Sequence, residues 1–126
     1  MVQVGIGNKL RFTVRFNHQG AAFSGAKIRC SIGQKLFDVV VFDEILWAES
    51  PSLSFPNDST PRTYEQIVDV FITSAISPGS FYEAEVKLTG IPGGDLFWRG
   101  PTNDIEIIAG GAQAVFSDLR VGYSRV

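Results

Sequence analysis

Residues 9–16 read Lys9-Leu10-Arg11-Phe12-Thr13-Val14-Arg15-Phe16. On an extended chain Leu10, Phe12, Val14 and Phe16 fall on one side and Lys9, Arg11, Thr13 and Arg15 on the other, the two-residue period of a strand with one buried and one wet face. The same period recurs outward from this stretch. Ala26, Ile28, Cys30 and Ile32 alternate with Lys27, Arg29 and Ser31, and Val68, Val70 and Ile72 with Ile67, Asp69 and Phe71. After the turn signal Ser77-Pro78-Gly79, Tyr82, Ala84, Val86 and Leu88 alternate with Phe81, Glu83, Glu85 and Lys87, and near the end Leu119, Val121 and Tyr123 oppose Asp118, Arg120 and Gly122. No segment keeps a 3.6-residue period, and there are no heptads or internal repeats. The pattern predicts an all-β chain of about seven to nine strands.

The connections carry their own signals. Asn17 to Gly25, with His18 between two small polar neighbours, reads as a solvated loop, and Gly33-Gln34-Lys35 as a tight turn. Leu36 to Phe42 is apolar on both faces apart from Asp38, as expected of an interior strand, with Asp43-Glu44 interrupting it before Ile45-Leu46-Trp47-Ala48. Glu49 to Thr63 holds Pro51, Pro56 and Pro61, a density that opposes continuous ladder pairing and predicts the longest irregular stretch. Leu96-Phe97-Trp98-Arg99, set between the glycine- and proline-rich runs 90–95 and 100–103, reads as a short strand or a loop tip.

Strands with one wet face must bury the other, so the expected fold is a two-layer antiparallel β-sandwich forming a single domain over residues 1–126. Ser77-Pro78-Gly79-Ser80-Phe81-Tyr82-Glu83-Ala84-Glu85-Val86 resembles the penultimate-strand region of immunoglobulin-like and fibronectin type III-like sandwiches, and Ser24-Gly25-Ala26-Lys27-Ile28 resembles the lead into their second strand. The resemblance implies an immunoglobulin-like arrangement in which Tyr82 buries its ring and its hydroxyl bonds back to the main chain. The chain lacks the paired cysteines of antibody domains, and the resemblance brings in no function.

Composition narrows the function classes. Net charge is −2, with Lys and Arg scattered, so the basic stripe that neutralises nucleic-acid phosphates is missing. No run approaches the ~20 apolar residues of a membrane span, and the first residues show no basic-then-apolar leader, which predicts a cytoplasmic protein or one assembled into a larger particle. The single Cys30 sits among isoleucines and reads as a small buried hydrophobe. With one histidine and one cysteine the chain has too few ligands for a structural zinc site, and Asp43, Glu44, Asp58, Asp95, Asp104 and Glu106 do not have EF-hand spacing. Neither a metal nor an organic cofactor is expected. Gly5-Ile6-Gly7 and Gly93-Gly94 do not open a helix that could hold phosphate.

What remains is aromatic. Trp47, Phe55 and Tyr64 lie in or beside the proline-rich stretch, and Phe97, Trp98 and Arg99 stand between turn clusters with Asp95 and Asn103 close by. Trp, Tyr and Arg on loops held by a rigid scaffold are typical interface anchors, while the competing reading has these rings plugging the ends of the core. The expected function is a non-enzymatic structural or binding module that presents loops and strand edges for protein–protein assembly or self-association, as in a virion, tail or cell-surface component. The alternative is a carbohydrate-binding module that stacks Trp or Tyr on sugars; a small enzyme ranks last.

Overall fold

The computed structural model describes residues 2–36, 41–91, 93–99, 105–109 and 118–124. Ten strands follow in order: β1 (Val2–Gly5), β2 (Lys9–Gly20), β3 (Phe23–Leu36), β4 (Val41–Glu49), β5 (Leu53–Phe55), β6 (Asp58–Phe71), β7 (Gly79–Thr89), β8 (Leu96–Arg99), β9 (Ile105–Ile108) and β10 (Asp118–Ser124). The described residues contain no helix, so none is long and apolar enough to cross a membrane. One sheet has seven strands in the order β1-β9-β7-β3-β4, with β5 added to β3 and β8 to β7; the other is β10-β2-β6.

The alternating residues go where their period sends them. Leu10, Phe12, Val14 and Phe16 of β2 are buried, with Val68 and Val70 of β6, in one cluster shared with Ile28, Cys30 and Ile32 of β3 and Tyr82, Ala84, Val86 and Leu88 of β7. Both sheets therefore turn their apolar faces into a common core. The opposite face of β2 and β6 is a ladder of cross-strand pairs: Arg11 with Asp69 at 3.0 Å, Arg15 with Glu65 at 2.7 Å, and Thr63 donating to Asn17 at 2.8 Å. These pairs sit at the registers Arg11↔Asp69, Arg15↔Glu65 and Asn17↔Thr63, as opposite charges on facing strands favour.

The structure corrects the expectation of purely antiparallel pairing. β1 runs parallel to β9 and β10 parallel to β2, pairing Val2 with Ile105 and Leu119 with Phe12. A hairpin signal is local, whereas a parallel partner can lie a hundred residues away, so alternation alone does not see it. The proline-rich stretch is also more regular than expected. Leu53–Phe55 pairs with β3, and β6 begins at Asp58 and passes through Pro61, where the register skips from His18↔Arg62 to Gly20↔Asp58. Pro61 falls in that skip, where no ladder hydrogen bond is asked of it.

Two more boundaries move for the same reason. β3 starts at Phe23, with Gly25 at φ +90° in a bulge between Ser24 and Ala26, and continues through the expected turn at Gly33 to Leu36. Asp43 and Glu44 lie inside β4, and Ile45 to Ala48 continue that one strand; residues 37–40 of the expected interior strand lie outside the described residues, as do 100–104. Glu83 and Glu85, expected on a wet face, are buried because β7 lies inside its sheet and β8 and β9 pair along its far edge.

Tyr82 is buried, and its hydroxyl donates to the Ser77 carbonyl at 2.6 Å, tying β7 to the turn before it. Tyr82→Phe is expected to cost about 0.5 to 1.5 kcal/mol in a urea titration, because a part-buried hydrogen bond is lost with almost no change in volume.

Candidate functional site

The seven-stranded sheet also has a face turned away from the core, and its cross-strand rows are set by register. Glu49 of β4, Arg29 of β3, Lys87 of β7 and Phe97 of β8 form one row; Trp47, Ser31, Glu85 and Arg99 form the next. The β3–β4 ladder shifts register between Ile32 and Gly33, so Ile32 opposes Leu46 and Gly33 opposes Glu44, leaving Ile45 as the extra residue. That bulge inverts the alternation of β4 and brings Glu44 and Phe42 onto the same face as Trp47 and Glu49.

The result is a concavity of about 480 Å³, lined by Arg29, Phe42, Glu44, Glu49, Glu85, Lys87, Thr89, Asp95, Phe97 and Arg99. Its charged groups hold one another. The Arg29 guanidinium forks onto Glu44, donating from Nε at 3.1 Å and from Nη2, and Ser31 Oγ donates to the same carboxylate. Arg29 also lies 4.0 Å from Glu49 and stacks 3.8 Å above the Trp47 ring. Arg99 Nε donates to Glu85 at 2.7 Å, and Lys87 Nζ stands 5.3 Å from the centre of the Phe97 ring. Burial pushes the Glu44 carboxyl up, yet the hydrogen bonds from Arg29 and Ser31 together prevail and leave it below its ordinary range, so it is a fixed anion.

Three of the residues singled out from sequence line this concavity, Asp95, Phe97 and Arg99, and Trp47 stands beside it against the Arg29 guanidinium. Trp47 is 51% exposed and Phe97 57%. They stand on β4 and β8 with β3 and β7 between and two residues apart along the strands, which separates them by about 16 Å from ordinary strand spacing and rise. Trp98 points the other way and packs against the core. Asn103 lies outside the described residues. Arg29, Phe42, Glu44, Glu49, Glu85 and Lys87 were missed by sequence reasoning; their polar alternation marked a wet face, but only the pairing register shows that those faces adjoin.

Phe55 and Tyr64 belong elsewhere, with the residue whose placement is most changed. His18 lies within β2, not in a solvated loop, and is 3% exposed. Its Nδ1 is 2.7 Å from Asp58 Oδ2, which also accepts the Tyr64 hydroxyl at 2.7 Å; a carboxylate only accepts, so both partners donate. Phe23 and Phe55 pack on the imidazole at ring separations of 5.3 and 5.4 Å, and Phe55 meets Tyr64 edge-on at 4.9 Å. The adjoining cavity measures about 10 Å³, too small for a substrate. This cluster plugs the core, the role weighed against binding for Phe55 and Tyr64.

The His18 hydrogen bond, helped by Tyr64, holds the Asp58 carboxyl below its ordinary range, as Arg11 does for Asp69. A carboxylate favoured as the anion in the folded state adds stability above its ordinary pKa and loses it as the pH falls through the lower folded value. Melting temperature is therefore expected to decline from about pH 4 downward. Asp58→Asn, which leaves His18, Tyr64 and Arg62 facing a neutral amide, should be less stable at neutral pH and show a shallower acid decline, measured by melting curves from neutral to acid pH.

Cys30 is buried, and burial pushes its thiol well above the ordinary range, so no thiolate nucleophile forms there. Among the described residues no three of His, Cys, Asp and Glu converge as metal ligands. No family model matches this chain, and neither a curated protein nor a solved structure matches it.

Proposed function

We propose that this chain is a non-enzymatic binding module: a two-layer, immunoglobulin-like β-sandwich that serves as a rigid component of a larger assembly and meets its ligand through the outward face of the seven-stranded sheet. The sandwich reading is supported by two sheets sharing one core and by the Tyr82 hydroxyl bonding back to the Ser77 carbonyl. The binding reading rests on one observation: the charged concavity of about 480 Å³ flanked by two half-exposed rings, Trp47 and Phe97. Its volume lies within the range of small-ligand sites, and its anchors are rigid aromatic and Arg side chains.

Binding rather than catalysis is favoured by the state of the reactive groups. Glu44 and Glu85 are tied to Arg29 and Arg99, while His18 and Cys30 are shut in the core. The test is a footprint. A panel of soluble polysaccharides and a peptide library is screened against isotope-labelled protein, and the amide shifts of every binder are mapped. Shifts concentrated on Arg29, Trp47, Lys87 and Phe97 are expected; binders that perturb only the Phe55–Tyr64 end, or none at all, would overturn the proposal.

A further inference from the structure

Resting on that reading of the sheet face, we infer that its ligand is an uncharged glycan chain lying across the strands between Trp47 and Phe97. A protein partner fits this surface poorly. Protein interfaces favour Arg but keep Glu and Lys out of their centres, and here the centre holds Glu44, Glu85 and Lys87, which a protein would have to strip of water without replacing it. Sugar hydroxyls replace that water directly. Each one donates to a carboxylate while accepting from a guanidinium, and adjacent hydroxyls match the two-pronged geometry of both groups.

The fixed geometry favours the same ligand class. Arg29 and Ser31 together hold Glu44, so the donors and acceptors of the floor are ordered before binding, which reduces the entropy lost on association. The two rings supply what the floor lacks. A pyranose presents an apolar C–H face that packs flat on an aromatic ring, and Trp47, with Arg29 stacked on its plane, keeps about half its surface open. The separation of about 16 Å exceeds one sugar ring, so the occupant is an oligosaccharide or polymer.

Charge decides between neutral and ionic glycans. Glu44, Glu49, Glu85 and Asp95 face Arg29, Lys87 and Arg99 around the concavity, a near balance that gives a polyanion no net attraction. Binding should therefore depend little on salt.

The experiment is an array of neutral polysaccharides (a β-glucan, an α-glucan, a mannan and a galactan) beside uronic-acid polymers and the peptide library, followed by calorimetry of any hit. At least one neutral polysaccharide is expected to bind, with affinity changing less than about threefold between low and high salt. Trp47→Ala and Phe97→Ala should each weaken it about tenfold. Both residues are exposed, so unchanged circular dichroism melts will show that the variants fold. Absence of binding to every neutral polysaccharide overturns the inference, as does binding confined to uronic-acid polymers with steep salt loss. Peptides that footprint on this face while no neutral glycan does would overturn the glycan class and leave the binding surface standing; no footprint on the face at all would remove both.

Discussion

Replacing Phe12 by Ala is expected to lower stability by about 3 to 5 kcal/mol, with a fall in the thermal midpoint of about 10 to 20 °C. Phe12 is fully buried on β2, the middle strand of its sheet, with Val68 opposite on β6 and Leu119 on β10. Removing the ring forfeits its transfer energy and leaves a cavity that a strand held on both sides cannot close. The neighbour supplies the contrast. Arg11 faces the other way, in a part-exposed pair with Asp69, so Arg11→Ala should cost about 1 kcal/mol or less. Urea titrations of the two variants test the two-residue period of the deciding stretch directly. Equal losses would mean that β2 does not have one buried and one wet face.

Gly33→Ala should cost about 2 to 3 kcal/mol and disturb the binding face as well. A Cβ built on Gly33 would stand 2.0 Å from the Asp43 carbonyl oxygen and 3.0 Å from the Phe42 ring. The obstacle is backbone, which yields far less readily than the end of a side chain. β3 and β4 must separate at the bulge that turns Glu44 and Phe42 onto the outward face, so Arg29 would lose its fork on Glu44 and its fixed position over Trp47. Two measurements check this: denaturant unfolding for the stability loss, and a red shift of the emission in a Trp98→Phe background, where Trp47 is the remaining indole. A variant as stable as the parent with unchanged emission would show that β3 and β4 do not approach this closely.

The candidate site was half legible beforehand. Trp47, Phe97, Arg99 and Asp95 were singled out because large rings and Arg beside turn signals are common anchors; Phe97, Arg99 and Asp95 line the concavity, and Trp47 stands beside it against Arg29. Of the two readings for residues 96–99, short strand or loop tip, the strand is the one found, and Trp47 lies in strand β4. Phe55 and Tyr64 carried the same local signal but pack around His18, since nothing local distinguishes a ring that closes the core from one that faces out. His18 itself shows the limit most clearly. Its neighbours Asn17, Gln19 and Gly20 read as a loop, and its burial depends on Asp58, forty residues later, arriving with a carboxylate to accept its hydrogen bond.

Sequence alone determined the β class and the inward turn of the alternating apolar side chains of β2, β3, β6 and β7, because a strand's side-chain period is a property of the extended backbone and needs no partner. The tertiary structure decided the register, the two parallel pairings, the burial of Glu83 and Glu85, and the union of Arg29, Glu44, Glu85 and Arg99 on one face. Those features depend on which distant segments lie side by side, and a one-residue bulge at Ile45, opposite Gly33, is enough to move Glu44 and Phe42 to the opposite face.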